Sequence, residues 1–288
     1  MIAEFQTETT KKTNSIPGLK TLSYSKLSNF ADSPKELWKY INKERTQTES
    51  MIRGNLVDCL LFTPELFDEQ FYIIKDIDVK TKTGEVAKNK KATGEWKEYE
   101  QNQKAIAGDR MVIDEAMKQD ADIEVLAIKN DKVIKANGLL EGGEYQKSIE
   151  FEYLNWTFRG KLDIYHSDKI VDLKRVANTD PKKLKWTILE MLYHIQAAVY
   201  QRGTNQIGKD YWLICIDAEL DICVYKFTQE TLEQGRYLLD SLVKKLNIEI
   251  SICEFYATMN GPDYAENFWK SFWKKGRSYH QNNGIFII

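Results

Sequence analysis

The stretch from Tyr145 to Val176 constrains this chain most, because its hydrophobic period is two. Ile149, Phe151 and Tyr153 alternate with Ser148, Glu150 and Glu152, which predicts a half-buried strand. A turn at Leu154-Asn155 leads into WTFRGKLDIYH, and Ser167-Asp168 leads into KIVDLKRV, so three strands follow one another as a meander. Pro181 to about Arg202 then reads as one long helix. After it come the strands DYWLICID and LDICVYKF and a final helix from about Thr228 to Tyr256. That order predicts an α/β core with a mixed central sheet flanked by helices.

Upstream the signals are helical. Ser23 stands at an N-cap and Pro34 at the first position of a second helix, and a third helix is expected from about Glu49 to Leu61. FTPELFDEQFYII ends as a strand. Residues 75–104 are polar, rich in Lys and broken by Gly84 and Gly94, which predicts a mobile loop running into a helix. Residues 108–140 are expected to be helical, with Met111, Val112, Ala116 and Met117 on one side. Residues 1–17 read as a flexible tail, and 18–288 as a single domain.

Composition narrows the setting more than the activity. A 42% hydrophobic content is ample for a core, while a net charge of −2 means that any nucleic-acid contact must come from local basic clusters. No apolar run approaches the roughly 18 residues needed to span a bilayer. Cys59, Cys215, Cys223 and Cys253 are scattered without a CxxC pair or a secretory leader, so a cytoplasmic setting is expected.

The chemistry concentrates in GKLDIYHSDKIVDLKRV. Asp163 lies near the end of one strand and Asp172 and Lys174 on the next, and pairing about the Ser167-Asp168 turn would bring the two regions together. Side chains alternate along a strand, so Asp172 and Lys174 share a face and Leu173 points into the core. Two carboxylates and an ammonium group suit phosphodiester hydrolysis. Hard oxygen ligands hold Mg²⁺, Mn²⁺ can substitute, and a lysine beside the ion can serve the attacking water. The backbone carbonyl of Leu173 could add another oxygen. On these residues alone the alternative is a solvated Asp beside a surface Asp/Lys pair.

Gln196 and Tyr200 follow on the next helix at i and i+4, which puts them on one face with Tyr193. Asp163…Asp172-Leu173-Lys174 followed by Gln196-x-x-x-Tyr200 resembles the PD-(D/E)xK superfamily signature with the QxxxY motif of RecB-type nucleases. Within it, the chain from about Leu22 onward is similar to RecE-type phage exonucleases and more distantly to lambda exonuclease.

The resemblance implies the restriction-endonuclease-like core and catalytic roles for Asp163, Asp172, Lys174, Gln196 and Tyr200. Gly54-Asn-Leu-Val-Asp58 sits where relatives carry GxxxH, so Asp58 replaces histidine as a candidate ligand. Gln146 stands where relatives often place a metal-facing Glu, so either it or Glu150 would complete the set. Ser25 and Lys26 resemble in position residues that hold a terminal phosphate. Ser33-Pro34 replaces the Cys-Pro of iron-sulfur relatives, which implies no iron-sulfur cluster.

Lys75, Lys80, Lys82, Lys88, Lys90 and Lys91 form the best local basic cluster, and Lys88, Lys90 and Lys91 among them are candidate DNA contacts, against the plainer reading of a solvated loop. By resemblance the activity is digestion of one strand of linear duplex DNA from a 5′ end for phage-type recombination. The same likeness implies double-stranded DNA ends as substrate, a homo-oligomeric ring and a single-strand annealing protein as partner. Two alternatives stand beside it: a RecB-like endonuclease or exonuclease of other polarity in repair or defence, and a non-catalytic DNA-binding descendant.

Overall fold

The computed structural model describes residues 19–42, 47–80 and 84–261. The expected tail at 1–17 lies outside the described residues, as does the chain after 261. Helices α1 (Tyr24–Asp32) and α2 (Pro34–Ile41) are separated by Ser33, whose side chain accepts from the Glu36 N–H and caps α2, with Pro34 at its start. Helix α3 (Glu49–Phe62) follows, then a short turn, α4 (Phe67–Gln70) and strand β1 (Phe71–Ile74).

Helix α5 (Gly94–Ala107) leads to strand β2 (Met111–Asp114), which pairs parallel with β1. This corrects the reading of 108–140 as helix throughout. Met111 and Val112 belong to a strand, and helices α6 (Glu115–Asn130) and α7 (Lys132–Ala136) begin only after it. Four residues carry little periodicity of their own, and it is the edge of β1 that holds them extended.

The main sheet contains β3 (Glu144–Tyr153), β4 (Trp156–Tyr165), β5 (Lys169–Arg175), β6 (Asp210–Ile216) and β7 (Ile222–Lys226), in that spatial order. β3, β4 and β5 form the antiparallel meander, β6 runs parallel to β5, and β7 is antiparallel to β6. A parallel neighbour requires a crossover, supplied by α8 (Pro181–Glu190) and α9 (Tyr193–Gly203). The long α10 (Gln229–Asn260) packs on α9.

The single helix expected from Pro181 to Arg202 is therefore broken. Leu192 adopts a left-handed conformation, φ 60°, and is buried, so the chain turns there although no Gly or Pro marks the position. The break re-aims α9, all but two of whose residues from Tyr193 to Gly203 are buried.

Both faces of the sheet are covered. Tyr211, Leu213 and Cys215 of β6 enter a cluster shared with α1, α2, α8, α9 and α10, while Ile214 and Ile216 enter a second one shared with α3, α6, β1 and β2. Strand alternation divides them. β4 departs from that rule at one point: Leu162 lies in the first cluster and Ile164 in the second, although residues two apart should share a face. In the same place Tyr145 pairs with Ile164 and Lys147 with Leu162, and the ladder skips Gln146 and Asp163 between them. Gln146 has φ 51°. The two strands thus change face together at the position of the acid.

Candidate active site

The local switch in β4 frees the Asp163 carboxylate to turn toward β5. There Asp163 Oδ2 accepts from the Leu173 N–H at 2.8 Å, so a side chain replaces the backbone acceptor that the neighbouring strand would otherwise supply. Gln146 Nε2 lies 3.5 Å from Asp163 Oδ1. Gln146 is brought to the site, whereas Glu150 is exposed and pairs with Arg159 at 2.6 Å.

Asp172 and Lys174 project from β5 toward α9, as alternation requires. The Asp172 side chain is 1% exposed, and its Oδ2 lies 2.5 Å from Lys174 Nζ. Lys174 Nζ is also 3.3 Å from the Leu173 carbonyl and 5.5 Å from the centroid of the Tyr193 ring. Tyr193 confines the ammonium group from the helix side.

The helix partners are fixed by a relay. Gln196 Nε2 donates to Asp172 Oδ1 at 3.0 Å and to Tyr200 Oη at 2.9 Å, and Tyr200 Oη donates to the Lys161 carbonyl at 2.8 Å. Each link needs its neighbour, because all three side chains are buried. Tyr24, which the sequence did not single out, donates from its hydroxyl to the Met191 carbonyl at the α8–α9 break and so ties α1 to the helix that carries Gln196.

Electrostatics mark the cluster as a place for a cation. Burial, with Asp163 adding to it, pushes the Asp172 carboxyl up to about 7 even though Lys174 pulls the other way. Asp58, from α3, is likewise raised well above the ordinary carboxylate range, first by burial and then by Asp163 and Asp172. Asp58 therefore lies within electrostatic reach of the same cluster, and it lines a cleft together with Lys174. Lys174 is raised because the two carboxylates, Asp172 above all, outweigh its own burial.

Among the described residues no group of three His, Cys, Asp or Glu is drawn close enough to hold an ion as it stands. The donor set nevertheless fits a hard divalent cation. Asp58, Asp163 and Asp172 repel one another in a half-dry site, and the Leu173 carbonyl adds a neutral oxygen. A cation would offset the burial and the mutual repulsion that together raise two of the acids.

The other candidate DNA contacts are placed less simply. Lys26 Nζ donates to the Thr21 carbonyl at 2.6 Å and its hydroxyl at 3.2 Å, while the Ser25 carbonyl accepts from Ser28 and Asn29 inside α1. In the Lys-rich segment Lys88 is exposed, Lys90 pairs with Asp76 and lies over Trp96, and Lys91 is 3.7 Å from Asp114. No described helix is long and apolar enough to cross a membrane.

Residues 23–251 match a family described as a PDDEXK-like domain of unknown function, DUF3799. No curated protein matches the chain. A crystal structure of a candidate exonuclease from Eubacterium rectale is 17% identical, with a TM-score of 0.53 over 87% of this chain and 86% of that one. At that identity the likeness is one of fold. The crystal structure of SSO0001, 10% identical over 76% of this chain and 86% of that one, has a TM-score of 0.27, too low for a shared fold.

Proposed function

We propose that this chain, which belongs to the DUF3799 family of PDDEXK-like domains, is a divalent-metal-dependent deoxyribonuclease that digests linear duplex DNA from its ends. The observation that carries this reading is the convergence of Asp163, Asp172 and Lys174, with Asp163 bonded to the Leu173 N–H and Lys174 paired with Asp172.

Asp163, Asp172 and Asp58, with the Leu173 carbonyl, would hold Mg²⁺ or Mn²⁺. When bound, the ion would polarise the phosphate, acidify a water and offset charge on the leaving oxygen. Lys174 would orient the attacking water and place a positive charge beside the phosphate. Gln196 and Tyr200 would hold Asp172 in register through their relay to Lys161, and Gln146 would fix Asp163 from the opposite side.

The likeness to RecE-type exonucleases supports attack from a 5′ end, a 3′ overhang, a ring of subunits and use of the product by a single-strand annealing protein. Ser25 and Lys26 would serve the terminal phosphate, and Lys88, Lys90 and Lys91 the backbone beyond it.

The test is incubation with end-labelled linear duplex and with covalently closed circles, each in Mg²⁺ and in EDTA. Loss of linear DNA from labelled ends in Mg²⁺ alone, with circles spared, is the expected result. Circles cut at the linear rate would replace the exonuclease with an endonuclease. DNA bound but never cleaved in Mg²⁺ or Mn²⁺ would leave a non-catalytic DNA-binding protein. Cleavage undiminished in EDTA would remove the ion from the mechanism.

A further inference from the structure

A cleft of about 270 Å³ opens beside the acid cluster, lined by Gly54, Asn55 and Asp58 of α3 and by Lys174 and Arg175 at the end of β5. Arg175 is on the opposite strand face from Lys174, toward α6. Its Nε lies 3.3 and 3.2 Å from the two carboxylate oxygens of Glu124, whose side chain is 1% exposed. Glu124 Oε1 also accepts from Arg53 Nε at 3.0 Å, and Arg53 Nη2 reaches Asp120 at 2.9 Å.

One buried carboxylate thus holds two guanidinium groups. Arg53 by itself would neutralise Glu124, so Arg175 brings a charge that the buried part of the network does not need. Asp120 offsets it only weakly, because its side chain is 54% exposed and solvent screens it.

Arg175 is anchored through Nε alone, and its two Nη groups take no hydrogen-bond partner among the described residues. A guanidinium fixed on one edge presents the other as a planar fork, a geometry that matches two oxygens of a phosphate. Lining the same cleft as Asp58 and Lys174, it would meet an anion lying next to the reacting one.

We propose that Arg175, held in place by Glu124, binds the DNA phosphodiester that neighbours the scissile one and so sets the register of the strand in the site. The proposal rests on the nuclease reading above. Its role is positioning, and its signature is in binding and KM rather than in kcat.

Arg175→Ala and Arg175→Lys are compared with the unmodified protein by thermal melting, by anisotropy of a fluorescent duplex in EDTA across a salt series, and by cleavage kinetics in Mg²⁺. Arg175→Ala is expected to weaken binding about tenfold and raise KM, as loss of a charged hydrogen bond does. It should also lower the slope of log affinity against log salt by about one, the signature of one phosphate contact. Arg175→Lys keeps the charge and loses the fork, so it should restore the slope but only part of the affinity.

Unchanged affinity, slope and KM in a folded Arg175→Ala would overturn the proposal while leaving the nuclease intact. Should Arg175→Ala fail to fold, Arg175→Lys decides: normal melting with weakened binding supports the phosphate contact, and normal melting with unchanged affinity overturns it. An unmodified protein that never cleaves DNA in Mg²⁺ or Mn²⁺ defeats the catalytic reading instead, and the EDTA salt slope still judges Arg175.

Discussion

The two sides of the acid cluster are built differently. Toward α9, Asp172, Gln196, Tyr200 and the Lys161 carbonyl form one buried relay, and Tyr193 lies over Lys174. Toward α3, Asp58 and Arg175 line an open cleft. One half is tied by hydrogen bonds, and the other is open where the proposed cation and substrate would enter. Geometry and access therefore come from separate elements, and either can be disturbed alone.

Asp172→Asn should have the largest effect. An amide keeps the shape and an oxygen for Gln196 but removes the charge that would hold the ion, so cleavage should fall on the order of 1,000-fold with folding retained. End-labelled duplex assays beside thermal melting check this; a variant that cleaves normally would detach the hydrogen-bonded half from catalysis.

Gly235→Ala attacks the same half from behind. A Cβ there would lie 2.0 Å from the His194 backbone oxygen, where α10 crosses α9, and a backbone atom cannot swing aside as a side-chain tip can. Overpacking of this kind should destabilise the fold by about 3 kcal/mol. Denaturant unfolding measures it, and a loss near zero would mean that α9 is held less rigidly than its burial implies.

Gln196→Ala is gentler. It breaks the relay while leaving every acid in place, and a loss of supporting contacts of this type should lower activity or metal affinity about 10- to 100-fold. If Gln196→Ala matched the unmodified enzyme in both, Asp172 would be positioned by Lys174 alone.

On the open side, Asp58→Ala should weaken Mn²⁺ binding about tenfold, as removal of one of several hard ligands would, with little change in melting. Titration calorimetry distinguishes this from an Asp58 that merely lines the cleft, for which affinity would not move.

The central part of this arrangement is legible in the sequence. Period-two alternation places Asp172 and Lys174 on one face and Leu173 on the other, and the i, i+4 spacing of Gln196 and Tyr200 puts both on one side of a helix. Three other features are not. Leu192 is left-handed without a glycine, so nothing local announces the break between α8 and α9. β2 is four residues held by pairing with β1. Glu124 and Arg175 are 51 positions apart, and charged residues on a helix ordinarily read as a solvated face.

Features that depend on neighbours along the chain are readable from the residues alone: the strand meander, the residue types that share a face, and the chemistry that two carboxylates and a lysine can perform. Which groups meet is set by the packing of the folded chain. The turn of Asp163 toward Leu173, the arrival of Asp58 from α3 and the seating of Arg175 on Glu124 depend on how the chain packs across the two faces of the sheet. The physical reason is that local periodicity fixes the direction of a side chain relative to its own backbone, while its partner is set by burial and by the distance between elements that the periodicity does not encode.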